Sequence, residues 1–104
     1  MTISAKINNA VARITMSGRF DFQVHREFKD AYMPLLDVAG VSEIEVEMGD
    51  LDYLDSSALG MLLLLNERAS AAAKSVTLLN PRGIVEQILD IANFSKIFNI
   101  KNAS

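Results

Sequence analysis

The sequence predicts a single α/β domain over residues 1–104, with a mixed β-sheet, an N-terminal hairpin and helices packed on one face of the sheet. Three observations support this fold class. Two short alternating runs flank an Asn–Asn pair near the N-terminus, apolar residues alternate with glutamates over residues 43–48, and segments with helical spacing separate the later strands. Strand–helix–strand units join parallel strands by right-handed crossovers, so the expected order is β-β-α-β-α-β-α-β.

The N-terminal hairpin is predicted from two strands that meet at Asn8-Asn9, because asparagine tolerates the positive φ that tight hairpin turns need. The segment Gly18–Asp21 is expected to break the second strand, and Asp21 to cap the first helix. Pro34 is expected to end or bend this helix in its last turn. Its predicted apolar face combines residues at helical spacing: Val24, Phe28, Ala31 and Leu35.

The clearest strand is Glu43–Met48, in which three glutamates point to one face and three apolar side chains to the other. A strand buried on both sides would be apolar throughout, so this alternation predicts one covered and one solvated sheet face. Arg13 is expected on the solvated face, near the glutamates if its strand is their neighbour. Residues 49–55 are expected to form an acidic loop containing three aspartates.

The second half of the chain predicts two more helices. One is expected to begin at Ser56 or Ser57 and to run to about Lys74, followed by a strand over Val76–Leu79. Asn80-Pro81 is expected to start the last helix, with Asn as the cap and Pro at the first helical position. Residues 94–100 are expected to form a turn and a short strand. The apolar stripe predicted for the last helix is Ile84, Val85, Ile88 and Ile91.

Composition excludes several function classes. The net charge is −3 and the ten basic residues are scattered, which argues against a nucleic-acid surface. The chain has no cysteine, so disulfides, thiolate metal sites and cysteine nucleophiles are excluded, and His25 is the only histidine. The N-terminus lacks the apolar core of a signal peptide, and the longest apolar run, Met61–Leu65, is too short to span a bilayer. We therefore expect a soluble cytoplasmic protein without metal or cofactor.

The segment Asp52–Met61 carries the strongest functional signal, because it lies where a strand end meets a helix N-terminus. Ser56 has two compatible interpretations. As an N-cap, it would accept a hydrogen bond from a helix N–H and contribute about 1 kcal/mol. As an exposed hydroxyl, it would be a good position for a phosphate, which adds a charge of roughly −1.5 to −2 that a helix N-terminus tolerates.

The helix after Ser56 is unusually apolar, with six apolar residues among the seven positions 59–65. One buried face needs only a stripe, which we assign to Leu59, Leu62 and Leu63. Leu65 is expected at the flank of the helix–sheet contact, and Met61 is expected to be an exposed contact for a partner. Gly60 costs about 1 kcal/mol relative to alanine, which predicts close approach by another chain or by the turn at Gly18.

With these features, the sequence resembles the anti-sigma factor antagonists, the single-domain members of the STAS family. The resemblance covers nearly the whole chain: the hairpin, the Gly18-x-x-Asp21 turn, the glutamate-bearing strand and the run Leu-Asp-Ser-Ser-Ala-Leu-Gly at residues 54–60. It implies a STAS-type fold and phosphorylation of the serine after the motif aspartate, which is Ser56. Ala58 stands where the family often has glycine, and the leucine run at 62–65 is heavier than usual.

The resemblance implies a competition mechanism. In the unphosphorylated state the protein would bind an anti-sigma factor, which often doubles as a serine kinase of the histidine-kinase-like ATPase superfamily, and would free a sigma factor. A metal-dependent serine phosphatase would reverse the modification. Some relatives control secretion or second-messenger enzymes instead. The expected partner-binding residues are Gly18, Arg19, Phe20, Asp21, Asp55, Ser57, Ala58, Gly60 and Met61.

Three other functions remain as alternatives. Asp50, Asp52 and Asp55 would suit a receiver-like domain phosphorylated on aspartate with bound magnesium, although the opening hairpin disfavours that fold. An enzyme is disfavoured because no histidine or lysine lies near the serines in sequence to activate them, so no catalytic residue is assigned. The third alternative is an interaction module in which Ser56 is never modified.

Overall fold

A computed structural model describes residues 2–102 of the chain. Five strands form one sheet in the order β1-β2-β3-β4-β5; β1 pairs antiparallel with β2, and the other neighbours are parallel. The three parallel crossovers advance in the same direction, so right-handed connections place all three helices on one face. The elements are β1 Thr2–Asn8, β2 Val11–Phe20, α1 His25–Leu36, β3 Glu43–Leu54, α2 Ser56–Ala71, β4 Ser75–Leu79, α3 Gly83–Ile91 and β5 Asn99–Lys101, with 3-10 turns at Phe22–Val24 and Phe94–Lys96.

The N-terminal hairpin is confirmed, and Asn9 at its turn has a φ of 58°. The second strand was expected to break at Gly18–Asp21, but β2 continues to Phe20 and pairs there with Leu54 of β3. Gly18 permits this continuation because its φ of 91° suits a bulged position that a residue with a β-carbon rarely adopts. The covered face of β2 is buried as expected, through Ala12, Ile14 and Met16.

The expectation of an acidic loop over residues 49–55 is wrong, because residues 49–54 continue β3. The register between β2 and β3 shifts twice, between Thr15 and Ser17 and between Gly18 and Arg19, and each time β3 contains one extra residue. Such bulges interrupt the alternation of inward and outward side chains by which a strand is recognised. The acidic residues of this segment therefore lie on a bulged strand.

The glutamates of β3 are half-buried and paired, rather than a merely solvated face. Glu45 accepts a hydrogen bond from Arg13 at 3.0 Å, which confirms the expected neighbour. Glu43 accepts from the hydroxyl of the fully buried Thr77 at 3.1 Å. Glu47 accepts from the Asn80 amide at 2.9 Å. The three carboxylates thus connect β3 to both of its neighbouring strands.

Helix α1 packs its inner face into the core as predicted, although Ala31 is only half-buried. Phe28 lies at the centre of an aromatic cluster, with ring centroids 4.9 Å from Phe20 and 5.2 Å from Tyr32. Pro34 lies in the last turn, and the helix ends two residues later at Leu36. The aromatic cluster therefore fixes α1 against the C-terminal half of β2.

The inner face of α2 consists of the buried residues Ala58, Leu62, Leu65 and Ala69. The expected stripe was wrong at Leu63, which is 41% exposed, whereas Leu65 is fully buried. Spacings of three and four residues keep the observed set on one face, and two adjacent leucines cannot both share its centre. The helix ends at Ala71, before the expected Lys74, and Ala73 has a left-handed φ of 60°.

The last helix differs from its predicted start and face. Asn80 has a left-handed φ of 56°, and α3 begins only at Gly83, with Arg82 at the N-cap position. The buried residues of α3 are Val85 and Leu89, whereas Ile84 and Ile91 are 47% and 82% exposed. Asn80 instead follows the last residue of β4, and its side-chain amide donates a hydrogen bond to Glu47 of β3. The residue at the N-cap position of α3 is Arg82. Within residues 2–102, no helix is long and apolar enough to cross a membrane.

Two neighbouring leucines test the assignment of the α2 faces. We expect Leu62→Ala to lower the free energy of unfolding by about 2–5 kcal/mol, because it opens a cavity in the core. Leu63→Ala is the matched control and is expected to cost less than about 1 kcal/mol. Urea denaturation monitored by circular dichroism measures both values, and equal costs would show that the helix is rotated from the face described here.

Candidate functional site

The candidate site lies where the carboxyl ends of β2 and β3 meet. The backbone N–H of Asp55 donates a hydrogen bond to the carbonyl of Phe20 at 3.2 Å. This bond holds the chain just after β2 beside the chain just after β3. As a result, the turn at Asp21 and the N-terminus of α2 lie next to each other at the carboxyl end of the sheet.

Asp55, and not Ser56, is the N-cap of α2. Its backbone is extended, with φ −108° and ψ −177°, and its carboxylate accepts a hydrogen bond from the N–H of Ala58 at 2.9 Å. The interpretation of Ser56 as a cap is therefore wrong: Ser56 is the first residue inside the helix, and its side chain is exposed. The negative cap also complements the positive end of the helix dipole.

The neighbouring turn is held by a second aspartate. The Asp21 carboxylate accepts a hydrogen bond from the N–H of Gln23 at 3.0 Å, which caps the 3-10 turn that leads into α1. Arg19 lies 3.8 Å from this carboxylate, and its guanidinium lies over the Tyr53 ring at 4.6 Å from the centroid. A cation over an aromatic ring is attracted by the ring's negative face, so Arg19 and Tyr53 link the last residues of β2 and β3.

The residues predicted to bind a partner divide by exposure. Arg19 and Gly60 are exposed, and a half-buried group consists of Gly18, Asp21, Asp55, Ser57 and Met61. The expectation of an exposed Met61 is wrong, because its side chain packs partly against the core. Phe20 and Ala58 are fully buried, so the expectation that they contact a partner is corrected: both side chains fill the core beneath the site. Gly60 is not approached by the Gly18 turn, because a β-carbon built at Gly60 would have no atom within 4 Å beyond the adjacent backbone of its own helix.

Sequence reasoning missed Phe22, which is 63% exposed directly after Asp21. Its ring stacks on that of His25, with 4.8 Å between centroids and 8° between planes. Aromatic side chains, phenylalanine included, are enriched at protein–protein interfaces relative to the rest of the surface. The available signal was a second aromatic residue next to Asp21, although the sequence pattern does not tell which of Phe20 and Phe22 is exposed.

The exposed face of α2 continues from Ser56 as an uncharged stripe. Gly60, Leu63 and Leu64 follow at helical spacing, and the two leucines are 41% and 40% exposed. The stripe begins, and Phe22 lies, at the end of the sheet where β2 and β3 terminate. The site thus combines an exposed hydroxyl, two capping carboxylates and exposed apolar side chains.

The donor groups near the site do not form a metal-binding set. Within residues 2–102, no three His, Asp or Glu side chains are grouped so that they could hold an ion. Asp50 and Asp52 point outward from β3, and Asp55 is engaged at the helix cap. The three aspartates therefore do not form the carboxylate cluster that a magnesium-binding receiver-like domain would need.

Two substitutions test which residue caps α2. Asp55→Ala is expected to lower the free energy of unfolding by about 1 kcal/mol, because it removes the acceptor for the Ala58 N–H. Ser56→Ala is expected to change it by less than about 0.5 kcal/mol, and Asp55→Asn should retain most of the stability. Thermal denaturation measures all three. A larger loss of unfolding free energy from Ser56→Ala than from Asp55→Ala would show that the serine caps the helix.

Comparison with known proteins agrees with this architecture. Residues 3–100 match the family model of the Mlab STAS domain. The STAS-domain containing protein PA14_20770 of Pseudomonas aeruginosa strain UCBPP-PA14 is 41% identical over 87 residues, which cover 84% of each chain.

Solved structures share the fold at low sequence identity. A putative anti-sigma factor antagonist from Thermotoga maritima, tm1081, matches with a TM-score of 0.86 and 22% identity over 97% of this chain and 86% of its own. The anti-sigma factor antagonist SpoIIAA in its unphosphorylated form matches with a TM-score of 0.76 and 17% identity over 99% of this chain and 90% of its own. On the family match and the Pseudomonas relative, the chain belongs to the STAS domain family.

Proposed function

We propose that this protein is an anti-sigma factor antagonist, a binding switch without catalysis of its own that is inactivated by phosphorylation of Ser56. Unphosphorylated, it binds an anti-sigma factor and so frees a sigma factor. The observation that carries the proposal is the division of roles at α2: Asp55 caps the helix, which leaves the neighbouring Ser56 hydroxyl exposed. Structural neighbours that are anti-sigma factor antagonists support this role.

The local geometry explains how the fold would tolerate the modification. Ser56 occupies the first helical position, where backbone N–H groups and the helix dipole favour an anion. The cap bond from Ala58 goes to Asp55, so phosphorylation would not remove it. SpoIIAA, which shares this fold, has been solved in both its unphosphorylated and phosphorylated forms. The modified chain is therefore expected to stay folded.

The same geometry explains how the modification would abolish binding. A phosphate on Ser56 would add a charge of roughly −1.5 to −2 beside Asp55 and in line with the exposed stripe of α2. A partner that covers this surface would have to bury the charge, and Arg19, the basic side chain at this site, already lies 3.8 Å from the Asp21 carboxylate. A cost of about 2–4 kcal/mol corresponds to a loss of roughly 30- to 1000-fold in affinity.

The partner surface consists of the residues that surround Ser56 and are accessible: Gly18, Arg19, Asp21, Phe22, Asp55, Ser57, Gly60 and Met61. The enzyme that modifies Ser56 would be a serine kinase of the histidine-kinase-like ATPase superfamily, which also acts as the anti-sigma factor. A serine phosphatase would restore the binding form. Such an exchange of partners requires all these proteins in one compartment, which we take to be the cytoplasm.

A charge placed at Ser56 tests the switch. Ser56→Asp is expected to weaken binding of the kinase or anti-sigma partner by at least about tenfold, whereas Ser56→Ala should bind like the wild type. Ser70→Asp is the matched control, since Ser70 is exposed on the same helix but about 21 Å farther along it. The three variants serve as baits in native lysate, and the captured ATPase-fold protein is then purified for titration calorimetry.

The outcomes separate the two remaining functions. Loss of one captured protein with Ser56→Asp alone supports the switch. Equal capture by every bait, with no phosphate on Ser56 in cells by mass spectrometry, would favour the alternative of an interaction module that acts on a target other than a sigma system. Radiolabelling of the chain by the captured kinase, absent in Ser56→Ala, identifies the acceptor.

Phe22 tests the extent of the partner surface. Phe22→Ala is expected to weaken partner binding by about tenfold or more, because exposed aromatic side chains are frequent binding anchors. Its stability should change little, since the ring is already 63% exposed. Ile91→Ala, which removes an 82% exposed side chain from α3, is the control and should leave binding unchanged. Equal changes in binding affinity for the two substitutions, measured by calorimetry, would show that Phe22 is not part of the partner surface.

A further inference from the structure

We infer that the free edge of strand β1 is a self-association surface, through which two copies of this chain pair their β1 strands antiparallel about a two-fold axis at Ala5. Within the described residues, β1 is the outermost strand and has a hydrogen-bonded neighbour, β2, on one side only. An unpaired strand edge presents N–H and C=O groups that another strand can bind. This inference does not depend on the proposed function.

The β1 edge has few of the features that usually prevent strand pairing. It is seven residues long and contains neither proline nor glycine, and Lys6 is its only charged side chain. Its register with β2 is continuous from Thr2 to Asn8, without a bulge that would bend it away. The opposite edge, β5, has only three residues. Short edge strands, bulges and charged side chains protect natural sheets, so β1 is the less protected edge.

The sequence of β1 is self-complementary when it is reversed about Ala5. In an antiparallel pair centred there, Ala5 faces Ala5 of the second copy, and Ile3 faces Ile7. All three lie on the helix side of the sheet, because they are opposite Met16, Ile14 and Ala12 of β2, which are buried. Ile7 is 49% exposed in the single chain, so the pairing would cover apolar surface that α1 leaves open.

The polar face of β1 fits the same register. Lys6 would face Ser4 of the second copy and Thr2 would face Asn8, so no like charges are opposite one another. A register centred on Lys6 would place two ammonium groups in contact, and one centred on Ser4 would pair only five of the seven residues. Registers shifted by a single residue put apolar side chains opposite polar ones. The side-chain pattern of β1 therefore favours one register, the one centred on Ala5. It also indicates that the strand that pairs with β1 belongs to a second copy of this chain.

The proposed dimer leaves the candidate functional site open. Ala5 is paired with Ile14, six residues before the end of β2 at Phe20, which is about 20 Å of strand. Each copy would thus keep its own Ser56 accessible, and both α2 helices would stay outside the new strand pair. An interface of two seven-residue strands is small, and we expect association to be weak and dependent on concentration.

Disulfide trapping tests the pairing and its register, since the chain has no native cysteine. Ala5→Cys places two thiols at the two-fold axis, where the Cα atoms of facing residues lie about 4.5–5.5 Å apart, within disulfide range. Ile7→Cys is the matched control on the same strand and face; its two thiols would be separated by about 14 Å along the strands. Both variants are incubated with oxidised glutathione and followed by non-reducing electrophoresis.

We expect Ala5→Cys to form the linked dimer at least about tenfold faster than Ile7→Cys, because pairing raises the effective thiol concentration. An equimolar mixture of Ile3→Cys and Ile7→Cys should give the mixed dimer in preference to either like pair. Sedimentation velocity of the wild type should show a species of twice the chain mass at high concentration, and Ala5→Lys should abolish it without altering the circular dichroism. Equal oxidation rates for Ala5→Cys and Ile7→Cys, or a monomer at every concentration, would overturn the inference.

Discussion

The parallel pairing of β2 with β3 is the constraint on which the rest of the structure depends. It runs from Val11 and Glu43 at one end to Phe20 and Leu54 at the other. Its last bond, from the Asp55 N–H to the Phe20 carbonyl, sets the start of α2 against the turn that leads into α1. The glutamates of β3 then bind side chains on β2 and β4, so the central strand orders the sheet on both sides. The site exists because two chain segments far apart in sequence end at the same place.

At that place, structural and surface roles are carried by different but adjacent residues. Phe20 and Ala58 fill the core, whereas Phe22 and Ser56, each two residues away, lie at the surface. Asp21 and Asp55 hold the local backbone through cap bonds. A chemical change at Ser56 can therefore alter the surface while the bonds that define the helix start stay in place. This separation is what the proposed binding switch would require of a small domain with a single core.

The sequence predicted the architecture well wherever the pattern of side chains was regular. The hairpin, the inner face of β2 and the strand at Glu43–Met48 all follow strict alternation, and all three were found. The prediction failed where regularity stopped: the bulges in β3 hid six strand residues, and Asn80-Pro81 imitated a helix start although Asn80 binds Glu47 across the sheet. Both errors have the same cause. A bulge or a long-range hydrogen bond depends on a partner strand, and that strand lies outside the short stretch of sequence from which an element is predicted.

The candidate site could be located from sequence but not resolved into roles. The Asp-Ser-Ser run marked the start of α2, yet which residue caps the helix depends on one backbone residue being extended, and either side chain has the needed oxygen. In the same way, the pattern Phe-Asp-Phe gave no basis for deciding which ring is buried. The sequence also could not show which leucines of α2 are buried, because this depends on which face of the helix packs against the sheet.

Gly60 shows how such a surface can limit the stability of the domain. An alanine methyl group at this position would meet no atom within 4 Å beyond the adjacent backbone of its own helix, and it would improve helix propensity by about 1 kcal/mol. With glycine at this position, the second turn of α2 has no side chain between Ser56 and the exposed leucines, although the packing of the domain would permit an alanine there. For protein engineering, residue 60 is a position where thermal tolerance and access to the helix surface oppose each other, and a heat-resistant version of this domain should be sought at other positions first.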